Sequence, residues 1–204
     1  MTVPNMRKMS LLLRGFRDDC RGVIAVEFAM IAPVMLVLFF GVLEFSSAVA
    51  VDRKVALAAR TLSDLTSQSA AVADADLSNY GQAAKAAMVP YSSLAVSGTV
   101  TEIYINPTTH AARVQWSRSV NIDAGGNVTV GASSHSPKDV VTVPTGLNID
   151  GTYLIWSEVS ATYVPTVGYV MGGTTGVKLS DTDYTRPRQS GCVGYPTSGA
   201  CPTL

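Results

Sequence analysis

Residues 21–51 read RGVIAVEFAMIAPVMLVLFFGVLEFSSAVAV. Phe28 to Leu43 carries no charge, and the apolar stretch runs on from Val23 to Val51 with only Glu27 and Glu44 interrupting it. An α-helix rises about 1.5 Å per residue, and about 20 residues cross a hydrocarbon core, so this run predicts a spanning helix. Pro33 falls inside it, where it cannot donate to the carbonyl of Ala29. That predicts a modest kink of the kind membrane helices tolerate. Glu27 is the anomaly. A charge at the centre of a span costs about 2.5–3.5 kcal/mol and less near its edge, so such residues tend to be functional.

The surroundings of Glu27 narrow the reasons for it. The chain is neutral overall, but the charge is uneven: Arg7, Lys8, Arg14, Arg17 and Arg21 stand against Asp18 and Asp19 before the span. A basic start followed by an apolar run predicts an N-terminus held in the cytoplasm and a C-terminal part outside it. Arg53 and Lys54, just beyond the span, weaken that bias, although Asp52 adjoins them. No basic cluster follows, which argues against a nucleic-acid partner. The expected organisation is a basic cytoplasmic leader over 1–22, a membrane helix over 23–51, a helical region over 52–90 and a small β-rich extracytoplasmic domain over 91–204.

Three readings compete for the apolar segment. It can be an uncleaved signal anchor. It can be a secretory signal peptide, cut after the A-x-A site Ala48-Val49-Ala50, although the run exceeds the roughly 7–15 residues of such a region. It can also be a leader cut between Gly22 and Val23, with the helix retained. The stretch Gly22-Val23-Ile24-Ala25-Val26-Glu27-Phe28 resembles the prepilin peptidase motif, in which a glycine is followed by four residues, a glutamate and often an aromatic residue. The wider stretch from Arg21 to Met35 resembles the start of TadE-like proteins of the tight-adherence (Flp) pilus system, and Tyr184-Thr185-Arg186-Pro187-Arg188 is a weaker echo of their end. Val23 after the cut is less usual for that family.

The resemblance implies a single-pass protein of the bacterial inner membrane, with a periplasmic domain and a non-enzymatic role in pilus assembly. It implies prepilin peptidase, other pilins or pseudopilins and the lipid bilayer as partners. It also implies cleavage that makes Val23 the new N-terminus and leaves Glu27 one helical turn from the new amine. That carboxylate would then pair with the amine of a neighbouring subunit. The alternative for Glu27 is an interfacial carboxylate reaching for the headgroups.

Beyond the span, Val51, Val55, Ala58, Leu62 and Leu65 form a heptad-like stripe, which predicts a helix of about 45 residues packed along one face. Ser69–Ala75 reads as a break. A second helix is expected from Asp76 to Met88, capped by Asp74 or Asp76 and ended by Pro90. Thr99–Asn106 and Ala111–Val120 alternate and predict a hairpin around Pro107-Thr108-Thr109. Gly125-Gly126-Asn127 predicts a tight turn within a polar stretch from Asn121 to Ser136. One or two more strands are expected in Gly151–Val170, with Pro165 and Gly168 as a bend. The fold class is therefore α+β: a long helix on a small antiparallel sheet.

Cys192 and Cys201 enclose the Gly/Pro-rich segment VGYPTSGA. Outside the cytoplasm a disulfide is the default; metal binding is the alternative, but the spacing is not C-x2-C and no histidine is near. Cys20 lies in the leader. No nucleophile elbow, phosphate loop or dinucleotide fingerprint is present, so no catalytic residue, metal site, cofactor or small-molecule substrate is expected. His110 and His135 read as solvated loop residues, and Trp116, Trp156, Tyr104, Tyr153 and Tyr163 as packing residues on strands.

Overall fold

The computed structural model describes residues 22–165, 176–196 and 201. Residues 1–21 of the leader, with Cys20, and Gly168 of the expected bend lie outside them. The chain divides into two units, Met1–Phe45 and Ser46–Leu204.

Helix α1, Val23–Ser67, starts in the first unit and stays helical through Pro33. Its apolar side chains there are bare: Val23, Ile24, Phe28, Met30, Val37 and Phe45 are all more than half exposed. Such a surface, on every side of a helix, suits lipid better than water.

In the second unit, the C-terminal part of α1 and helix α2, Asp74–Ala87, pack on a six-stranded sheet. The strands are β1 (Val96–Ile105), β2 (Ala112–Ile122), β3 (Val128–Ala132), β4 (Val140–Val141), β5 (Tyr153–Tyr163) and β6 (Val177–Thr185). Their order is β3-β2-β1-β5-β6, with β4 beside β2, and every pairing is antiparallel. This is the α+β arrangement the sequence predicts.

The seam of α1 departs slightly from the expected stripe. Val51, Val55, Ala58 and Leu62 are buried, but beyond them the buried positions are Ser63, Thr66 and Ser67, and Leu65 is only half-buried. An α-helix turns every 3.6 residues, so a straight helix drifts off a strict heptad. Thr66 is tolerable in the core because its Oγ1 donates to the Leu62 carbonyl at 2.7 Å. Ser157 of β5 ties the sheet to α1 by donating to the Ala59 carbonyl at 2.7 Å, and Leu62 sits over Gly98 of β1.

Helix α2 begins two residues earlier than the sequence predicts. Ala73 is its N-cap, and Asp76 reaches back to accept from the Ala73 N–H at 2.9 Å. That supplies half of a capping box without a capping side chain.

The β1–β2 hairpin is slightly longer than expected, and its turn is held by Asn106, whose Oδ1 accepts from the N–H groups of Thr108 and Thr109. Gly126 adopts φ +86° in the β2–β3 turn, where Lys85 of α2 donates to its carbonyl. A β-bulge interrupts the β1–β2 ladder. Glu102 pairs with Trp116 and Ile103 with Val114, so Gln115 is the extra residue.

The bulge divides β2 between two cores. Trp116, Val120 and Ile122 join the helix-side core with Val100, Ile155, Val159 and the seam of α1. Ala112 joins Ile103, Ile105 and Leu154 in a smaller cluster on the other face, beneath Val141, Val143 and Leu147.

Candidate processing site and membrane helix

Gly22 immediately precedes α1, and a Cβ built on it would meet nothing within 4 Å. Intramolecular crowding therefore does not explain a glycine here. Val23 opens the helix at 53% exposure, and Glu27, also exposed, follows one turn later. At about 1.5 Å per residue, four residues separate them by about 6 Å along the axis. From Val23 to Phe45 the helix is about 34 Å long, enough for the roughly 30 Å hydrocarbon core. Among the described residues, α1 is the one helix long and apolar enough to cross a membrane. Ala48-Val49-Ala50, the alternative cleavage site, lies within α1, and Val51 after it is fully buried.

The second cluster of polar residues was not anticipated from the sequence. The C-terminal segment from Arg188 to Tyr195 lies as a strap against the helix-side core. Gly194 N–H donates to the Ala70 carbonyl, Val72 N–H to the Gly194 carbonyl and Arg188 N–H to the Ser67 carbonyl. Val193 is fully buried, with both backbone groups held by side chains of the sheet. Its N–H donates to Glu102 Oε1 at 2.5 Å, and its carbonyl accepts from Trp116 Nε1 at 2.7 Å.

Tyr195 stacks on Trp116 with centroids 5.4 Å apart and donates to Asp74 Oδ1 at 2.8 Å. Arg118 Nε and Nη2 grip the same Asp74 carboxylate at 2.9 and 2.5 Å, a two-pronged ion pair. The hydrogen bond from Arg118 holds the Asp74 carboxyl below its usual range. Cys192 and Cys201 form a disulfide, with Cα atoms 5.6 Å apart.

Glu102 itself is fully buried, and its Oε2 has no hydrogen-bond partner among the described residues. Burial pushes its carboxyl up to about 7, although the Val193 N–H and Trp116 pull the other way. A glutamate in an alternating strand reads as a solvent-facing residue; the bulge and the strap enclose this one.

His135 is not the solvated residue the sequence suggests. Its Nε2 pairs with Glu158 Oε2 at 2.9 Å, and its ring lies 4.8 Å from that of Trp156, which stacks on Tyr184. His110 is exposed and pairs with Asp150 at 2.8 Å. The described residues hold no group of three or more metal-ligating side chains. A groove of about 460 Å³ beside α1 is lined by the ion pairs Arg60–Asp183 and Arg188–Asp64.

No curated protein and no solved structure matches the chain. Residues 22–63, which run from the glycine through Glu27 and the apolar helix into the buried seam of α1, match the family model of TadE-like protein, and that segment is what the chain shares with the family.

Proposed function

We propose that this chain is a pseudopilin-like structural component of a tight-adherence pilus, cut by a prepilin peptidase between Gly22 and Val23 and held in the inner membrane by α1. The observation that carries the reading is the coincidence, in one segment, of the family match with a glycine, a glutamate one turn beyond the next residue, and a bare apolar helix. The basic leader supports an N-terminus in the cytoplasm and a domain in the periplasm. Cleavage creates an amine at Val23. Glu27 of a neighbouring subunit is the compensating charge for that amine, because an opposite charge offsets much of the cost of a carboxylate in a lipid-facing position. Other pilins or pseudopilins of the same machinery are then the partners, and the role is structural rather than catalytic.

Release by signal peptidase after Ala50 is the second reading, favoured by the A-x-A site. Against it, the site lies inside a continuous helix, and Val51 belongs to the core of the domain. N-terminal sequencing and intact mass of the membrane fraction separate the two. A chain beginning at Val23 supports the proposal, one beginning at Val51 supports release, and one beginning at Met1 refutes both. Glu27→Ala is expected to leave cleavage intact and to impair surface attachment; wild-type attachment by that variant would remove the assembly role of the carboxylate.

A further inference from the structure

The strap is held at its centre by one fully buried acid, and that acid is under-supplied with donors. Glu102 Oε1 accepts from Val193 N–H, while Oε2 is buried without a hydrogen-bond partner among the described residues. The neutral carboxyl suits such a site; a carboxylate there has only the Val193 N–H and the Trp116 indole to offset its burial, and no cation beside it among the described residues. The remaining strap contacts are backbone bonds to Ala70 and Val72 and the side chains of Trp116, Tyr195 and Asp74. Val193 is thus the strap residue most directly exposed to the charge state of the sheet beneath it.

We infer that Glu102 is a proton-controlled latch on the C-terminal strap: neutral, it keeps Val193 docked, and ionised, it favours an opened strap in which the carboxylate reaches water. The titratable neighbours do not compete for this role. Tyr104 and Tyr153 flank Glu102 on the sheet, with ring centroids 4.7 Å apart, and burial pushes Tyr153 up to about 12. Tyr195 in the strap is raised, chiefly by burial, so it also stays neutral. On α2 and β2, Asp74 is lowered by Arg118 and remains ionised in that pair. Asp64 of α1 is engaged by Arg188. Cys192 is in the disulfide. The histidines lie elsewhere, His135 against Glu158 and Trp156, and His110 against Asp150.

The sign follows from linkage. The closed strap holds the Glu102 proton up to about pH 7, whereas the open strap releases it near the ordinary carboxylate value of 4.5. Opening therefore becomes easier as pH rises between those values, by about tenfold per pH unit, and levels off above about pH 7. Opening would uncover the indole of Trp116 and free the carbonyl of Ala70 and the N–H of Val72, a short backbone edge now paired with Gly194.

The test is hydrogen exchange of the full chain in detergent micelles, wild type against Glu102→Gln, from about pH 5 to about pH 7.5. Taking the ratio of the two chains at each pH cancels the intrinsic pH dependence of exchange. The expected result is a ratio for the 188–196 peptide that rises about tenfold per unit up to about pH 7, with the strap exchanging faster than the β1 and β5 peptides throughout. A ratio that stays flat overturns the latch. Strap exchange no faster than that of β1 and β5 also overturns it, because the strap would then open only when the whole domain unfolds. Should Glu102→Gln fail to fold, carboxyl-carbon NMR of the wild type decides. A Glu102 midpoint near 7, with the Trp116 indole signal moving in step, supports the latch; a midpoint near 4.5 overturns it.

Discussion

Gly81→Ala sets two effects of known size against each other. Gly81 lies inside α2, and alanine there gains about 1 kcal/mol of helix propensity. The site has no room for it: a Cβ would stand 2.6 Å from Val128 Cγ1 and 2.8 Å from Val120 Cγ1. Val120 is buried in the centre of the core and Val128 is half-buried at the start of β3. Overpacking of this kind costs about 1–3 kcal/mol, so the net expectation is a loss of about 1 kcal/mol. For a chain of this size that lowers Tm by about 2–4 °C. The assay is thermal unfolding of the full chain in detergent, followed by near-ultraviolet circular dichroism.

Val128→Ala supplies the control. Alone it removes two methyl groups from a half-buried position and costs about 1 kcal/mol. Combined with Gly81→Ala it clears the closest contact, so the pair is expected to couple favourably by about 1 kcal/mol or more in a double-mutant cycle. A rise in Tm for Gly81→Ala alone would refute the reasoning, since it would mean that α2 is free to move off the sheet. Because α2 carries Asp74, such freedom would also undo the grip on Arg118 and Tyr195.

Other expectations are independent of that one. Replacing Cys192 and Cys201 by serine opens a loop of about ten residues and should cost about 2–3 kcal/mol in a chain-entropy model, read as a lower Tm that reductant no longer changes. Ser157→Ala leaves the Ala59 carbonyl without its side-chain donor and should cost about 1 kcal/mol, read by denaturant titration; no change would mean that the bond links α1 to the sheet without stabilising it. Asp74→Asn should loosen Tyr195 and cost at most about 1 kcal/mol, because the pair is partly open to solvent. Its contribution is present above the ordinary Asp range and lost as pH falls through the lowered value, so wild type and variant should converge in acid. Glu102→Gln acts with the opposite sign: wild type should lose about 3 kcal/mol relative to it as pH rises from about 4.5 to about 7.

What the sequence made legible follows from how far apart the interacting residues lie. α1 and the β1–β2 hairpin are written in local periodicity: charge-free length for the first, alternation around Asn106 and Pro107 for the second. β6 was not anticipated because VKLSDTDYT is an edge strand that is polar on both faces, so it lacks the alternation that marks a half-buried strand. The strap has no periodicity at all, and its hold on the domain depends on Glu102 and Trp116, some 90 and 77 residues earlier in the chain. His135 was misjudged for the same reason, since Glu158 and Trp156 reach it from β5. The segment that matches the TadE-like family model was the easiest part to read, because glycine, glutamate and apolar run are neighbours in sequence.

The bulge at Gln115 gives β2 a change of phase. Ala112, Val114, Trp116, Val120 and Ile122 all lie an even number of residues apart, so a plain strand would put them on one face; skipping Gln115 sets the first two opposite Ile105 and Ile103 and the other three on the helix side. A ladder that ran on without skipping it would set Gln115 opposite Glu102 and turn the Trp116 indole away from Val193. Deleting Gln115, in contrast, would join Val114 to Trp116 and leave every partner of both halves in place. The extra residue thus lets one run of alternating apolar side chains serve two cores.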